Sequence, residues 1–65
     1  MTSTTTVSGI LARIRATRIT KGITRAEMAE RMCIRTLAYE RLERGVTKLD
    51  VQRLIEIIGI LEIEI

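Results

Sequence analysis

Apolar positions along this chain fall into four clusters separated by polar breaks, and two of the three breaks carry helix stop and start signals. Ile10, Leu11 and Ile14 make one stripe of a helix over about residues 8–21, which Gly22 would end. Met28, Ala29 and Met32 share a face of a second helix over about 25–32, opened by a T-x-x-E capping box in which Thr24 and Glu27 satisfy each other's free amides. Ala38, Tyr39 and Leu42 form the matching face of a third helix over 36–44, with Gly45 as its stop. Asp50 is a good N-cap for a fourth, whose Val51, Leu54, Ile55, Ile57 and Ile58 make a face broader than a four-helix core needs. Gly59 weakens the end of that helix. Residues 61–65, LEIEI, alternate apolar and acidic side chains, which is strand periodicity. Residues 1–7 are polar, Thr-rich and without period, and read as a flexible tail. The pattern predicts an all-α fold, a compact bundle of four short helices over 8–60, followed by a short C-terminal β-strand over 61–65.

The second and third helices lie within the run ITRAEMAERMCIRTLAYERLERG, from Ile23 to Gly45, and only a tight turn separates them. Ala29 is small where the two must approach closely. Away from its packing face the third segment offers Arg35, Thr36, Leu37, Arg41 and Arg44. A helix that buries one side and presents basic and mixed side chains on the other suits the DNA major groove.

Charge distribution sharpens this more than the net +3 does. Residues 1–48 hold ten Lys/Arg against four Glu, whereas residues 49–65 hold only Arg53 against four acidic residues. Cations therefore gather on the half that carries the helix pair, as a phosphate-binding footprint requires. Nine of the eleven are Arg, whose planar fork matches phosphate and guanine better than an ammonium does.

Composition narrows the remaining classes. Sixty-five residues bury a modest core, so oligomerisation would help the fold. With one Cys and no His, an intramolecular disulfide is excluded and a zinc site is disfavoured; no cofactor is expected. The absence of paired acid and base groups and of a phosphate-cradling glycine loop argues against an enzyme. No apolar run approaches the ~20 residues of a membrane span, and nothing resembles a signal peptide, so the expected location is cytoplasmic, at the nucleoid. The acidic C-terminal segment VQRLIEIIGILEIEI is also poorly suited to an anionic lipid surface.

From about Ile10 to Leu61 the chain resembles the helix-turn-helix domains of the phage repressor and Cro-like (XRE) type. RIRATRITKGITRAEMAERM is similar to the first two helices of that family, IRTLAYERLERG to its recognition helix with an E-R-G ending, and LDVQRLIEIIGIL to its packing helix. The resemblance implies double-stranded DNA as partner. It places Arg35, Thr36, Leu37 and Arg41 at base edges or the flanking phosphates, and Arg25, Arg44 and Lys48 on phosphates; Arg13 and Arg15 are weaker candidates. It also implies a structural ion pair between Arg18 and Glu43 that ties the first helix to the third. Glu40 near the groove would either accept from cytosine N4 or repel phosphate, and the sequence leaves both open.

Three residues depart from the family pattern. Cys33 stands where relatives usually have Gly, and a left-handed conformation there costs roughly 1 kcal/mol; a tolerated small hydrophobe is favoured over a redox-sensing thiol. Arg35 replaces a Ser or Thr cap. Tyr39 replaces an aliphatic core residue, so its hydroxyl needs a partner or a route to solvent. The ending LEIEI is similar to the strand of some related antitoxins. Two copies pairing antiparallel about a two-fold axis would bury Leu61, Ile63 and Ile65 and leave Glu62 and Glu64 wet. The leading expectation is a dimeric, sequence-specific regulator, a repressor of phage or plasmid type that occupies a palindromic operator through residues 36–44. The alternatives are an antitoxin that also binds a toxin, and a protein-interaction module with a solvated basic face.

Overall fold

Local chemistry sets both ends of the helices. The computed structural model describes residues 6–63, which form α1 (Val7–Thr20), α2 (Arg25–Arg31), α3 (Thr36–Arg44) and α4 (Val51–Leu61). Thr6 Oγ1 accepts from the Gly9 amide at 3.0 Å and starts α1. Thr6 and Val7 therefore do not belong to the tail expected over residues 1–7, and residues 1–5 lie outside the described residues. Thr24 and Glu27 close the expected capping box on α2, each side chain accepting from the other's amide at 3.1 Å. Asp50 Oδ1 accepts from the Arg53 amide at 2.8 Å and starts α4. At α3 the N-cap position is Arg35, whose side chain makes no cap.

The four helix stops share one device, a left-handed residue just past the helix that lets the next amide turn back onto the last turn. Gly22 (φ 70°), Cys33 (φ 58°), Gly45 (φ 79°) and Glu62 (φ 55°) are the pivots. The amides of Ile23, Ile34, Val46 and Ile63 donate back to the carbonyls of Arg18, Ala29, Arg41 and Ile58 at 2.9–3.1 Å. At Gly45 a side chain would meet a second obstacle, since its Cβ would lie 3.3 Å from Leu11 Cδ1.

Leu11 and Ile14 from α1, Met28 and Ala29 from α2, Met32 after it, Tyr39 and Leu42 from α3, and Ile57 and Leu61 from α4 form one buried cluster. α2 packs on α3, α1 spans α3 and α4, and α4 rests on α1 and α2; the backbones of α3 and α4 do not approach each other. The fold is all-α, as the periodicity predicts.

Two expectations about faces need correction. Ala38 is exposed, because Tyr39, Leu42 and Glu43 fill the inward side of α3. No strand is present among the described residues of the segment 61–65. Leu61 is the last residue of α4 and is fully buried, Glu62 pivots, and Ile63 is half-buried against the core. The reason is spacing: Leu61 follows Ile57 by four residues, so the helical stripe continues through it and its side chain belongs to this chain's own core. Leu61 thus cannot supply a surface strand. Glu64 and Ile65 lie outside the described residues.

Candidate nucleic-acid interface

Side chains on α3 divide cleanly by helical angle. Tyr39, Leu42 and Glu43 point inward, and Leu37, Arg41 and Arg44, spaced i, i+4 and i+7, form the outermost ridge. Leu37 is 54% exposed. Arg35 and Thr36 are exposed at the start of the same helix, and Thr47 and Lys48 are exposed in the segment after it. Arg44 reaches Glu40 at 3.6 Å, an exposed one-turn pair of small energetic weight.

Behind this ridge a buried polar cluster fixes how α3 sits. Arg18 Nε and Nη2 donate to the two carboxylate oxygens of Glu43 at 2.8 and 3.0 Å, and Arg18 Nη1 donates to the Ile23 carbonyl at 2.8 Å. Tyr39 Oη donates to Glu43 Oε2 at 2.6 Å, the partner its hydroxyl requires. The side chains of Arg18 and Glu43 are only 9% and 1% exposed. Burial alone would push the Glu43 carboxyl up; the hydrogen bonds from Arg18 and Tyr39 and the charge of Arg18 outweigh it and hold the group below the usual glutamate range. Burial, then the hydrogen bond to Glu43, pushes the Tyr39 phenol up, so it stays a donor. The two residues whose pairing the resemblance implied thus meet across α1 and α3, with Tyr39 as a third member that the sequence did not identify.

Arg25 departs from its expected place. Its Nε lies 3.4 Å from Glu43 Oε1, which draws the guanidinium toward the cluster, although its side chain remains 38% exposed. Arg41 and Lys48 come together on a depression of about 230 Å³ between α3 and the start of α4, shared with Thr47, Asp50 and Arg53. Arg53 had no assigned role in the sequence reading. The signal that places it was present: Asp50 caps α4, so residue 53 lies in the first turn of that helix, beside the segment that carries Lys48. Arg53 also pairs with Glu56 at 2.9 Å. Among the described residues no cluster of His, Cys, Asp and Glu is arranged to hold a metal ion, and no helix is long and apolar enough to cross a membrane.

A short helix, a turn around a left-handed residue and a second helix with an uncovered basic ridge make up the geometry of a helix-turn-helix. The family model described as helix-turn-helix (HTH_3) matches residues 14–65, from the middle of α1 to the end of the chain. The chain belongs to this family. No curated protein and no solved structure matches the chain. As a helix-turn-helix protein of the Cro/repressor-like (XRE) type it is a DNA-binding transcription regulator. Within it α2 is the supporting helix and α3 the exposed one. The Arg18–Tyr39–Glu43 cluster binds α3 to α1 on the side away from the ridge.

Proposed function

We propose that this helix-turn-helix protein is a repressor that binds a two-fold symmetric operator as a homodimer, with α3 in the major groove. The observation that carries the reading is the uncovered Leu37–Arg41–Arg44 ridge, held in place from behind by a buried, bidentate ion pair. Thr36 and Leu37 suit a thymine methyl, and Arg41 suits the O6 and N7 acceptors of guanine. Arg35 leads the helix into the groove and, by leaving α3 uncapped, keeps its first amides open to a phosphate oxygen or a base edge. Arg44 and Lys48 supply charge at the phosphates. Arg25 does so only with the part of its guanidinium that Glu43 leaves free. Occupancy of the operator then excludes polymerase.

The two groups of residues fail differently when removed. Arg41→Ala is expected to lose roughly 1–3 kcal/mol on the cognate duplex and little on a scrambled one. Lys48→Ala is expected to weaken both duplexes alike and to reduce the salt slope by about 0.9, one phosphate's worth of counterion release. Titration of the wild type and both variants on both duplexes across a salt series tests this. Equal losses on the two duplexes for Arg41→Ala would remove Arg41 from the base-reading set.

A further inference from the structure

α1 carries three arginines and no acidic residue. Arg18 points into the buried cluster, whereas the exposed Arg15 makes no ion pair among the described residues. Ser8 stands two turns before Arg15 on the same side of α1, with Ala12 between them. These three, with Leu11 of α1 and Glu43 and Arg44 of α3, line a depression of about 330 Å³ between the two helices. Arg13 is not part of its wall. The setting is positive. The Arg44 side chain is 62% exposed and lies 3.6 Å from Glu40, and the N-terminal end of the α1 dipole falls at Ser8. The one carboxylate in the wall, Glu43, is 1% exposed and matched by the bidentate Arg18.

We propose that this depression is a phosphate seat: Arg15 and Arg44 grip a single DNA backbone phosphate between their guanidinium forks, and the Ser8 hydroxyl donates a further hydrogen bond to it. The inference rests on the placement of α3 in the major groove and extends the contact surface to α1. Arg44 joins the two sites, since it ends the outer ridge and also lines the depression. A helix with its side chains is about 10–12 Å across and the major groove about 12 Å wide. A helix lying there therefore sets its flanks against the phosphates at the groove's edge. Two forks on one phosphate suit Arg, which pairs bidentately with the oxygens. The pair with Glu40 is exposed and weak, so Arg44 leaves it at little cost. The seat reads no base and fixes the position of the protein on the duplex.

Titration of the full chain on a random-sequence duplex across a salt series, with thermal unfolding of each variant alone, tests the seat independently of base reading. Ser8→Asp puts a carboxylate both in the seat and in the first turn of α1. It is expected to raise the melting temperature, because the helix dipole favours it. It is expected at the same time to weaken DNA binding at least about tenfold, because it faces phosphate. Arg31→Gln loses the same unit of charge at an exposed position of α2 outside the seat, and should bind within about twofold of the wild type. Arg15→Gln should weaken binding about fivefold, the upper range of an exposed ion pair. Combining it with Arg44→Gln should lower the salt slope by about 0.9, one phosphate's worth, where two separate phosphates would lower it by about 1.8. A Ser8→Asp variant that binds like Arg31→Gln, or a double variant whose slope falls by about 1.8, would overturn the proposal. Inorganic phosphate should displace the duplex no better than chloride at matched ionic strength. Stronger displacement of the wild type than of Arg15→Gln would overturn the DNA assignment and give the seat to a free phosphate ligand. Base reading by α3 is decided separately, by Arg41→Ala on cognate and scrambled duplexes.

Discussion

Removing Glu43 alone should do far more damage than replacing it together with Arg18 and Tyr39. In Glu43→Ala the Arg18 guanidinium keeps only the Ile23 carbonyl, and the Tyr39 hydroxyl loses its acceptor, both in a buried setting. Breaking a buried pair in this way costs about 3–5 kcal/mol, because the remaining charge stays desolvated. A 65-residue domain has roughly 3–10 kcal/mol in all, at 0.05–0.15 kcal/mol per residue, so Glu43→Ala is expected to lose a large share of it and to unfold at the lower end of that range. Tyr39→Phe removes one donor but leaves Glu43 with Arg18 and Arg25, and should lose about 1.5–3 kcal/mol, the range for a hydrogen bond to a charged group. The triple variant Arg18→Met, Tyr39→Phe, Glu43→Leu removes the three buried polar side chains of the cluster and replaces them with apolar volume, leaving the half-buried Arg25 and the Ile23 carbonyl. It should lie close to the wild type or above it in stability, as buried pairs exchanged for hydrophobic residues commonly do. Urea unfolding followed by far-UV circular dichroism gives the four values. The reasoning fails if Glu43→Ala loses less than about 1 kcal/mol at an unchanged slope, or if the triple variant is as unstable as the single one. In the expected outcome the triple variant folds but binds its operator less well, because the cluster that orients α3 is gone.

Acid should act through the same residue. Glu43 has a folded-state pKa below its unfolded value, so its contribution is fully present above the ordinary glutamate range and is lost as pH falls through the folded value. Urea midpoints should therefore drop below about pH 4, with a shallower acid limb in the triple variant. Cys33→Gly should raise stability by about 0.5–1 kcal/mol, since it removes a side chain from a left-handed position, less the extra freedom glycine has in the unfolded chain; an unchanged or lower melting temperature would show that φ 58° is not strained there. Asp50→Ala should lose about 1 kcal/mol through the N-cap of α4, read by the same melt.

What the sequence disclosed is what local chemistry determines. Thr24 with Glu27, Asp50 before an apolar run, and glycines at 22 and 45 act within four residues of themselves, so the helix bounds they set could be read directly. The segment 61–65 misled because a five-residue alternation has too little length to compete with the stripe that precedes it, and Leu61 fits both periods. The exposure of Ala38 shows the same limit: a small apolar residue adds little to the choice of face once Tyr39 and Leu42 are buried. At the site, Arg41 and Lys48 share a depression that no spacing discloses, and Arg25 turns to Glu43 because a buried carboxylate eighteen residues away attracts it. The hydroxyl of Tyr39 needed a partner, but only the packing of α1 on α3 sets that carboxylate, already held by Arg18, where it serves both.

Selection from a pool of randomised DNA duplexes decides whether α3 reads base sequence. One imperfect palindrome should be enriched, with half-sites about one helical turn apart. The enriched duplex should bind at least about a thousandfold more tightly than a scrambled one at physiological salt. Arg41→Ala should abolish preference at one position in each half-site. Recovery of no common sequence, with all duplexes bound alike and only as strongly as salt allows, would contradict base reading by α3.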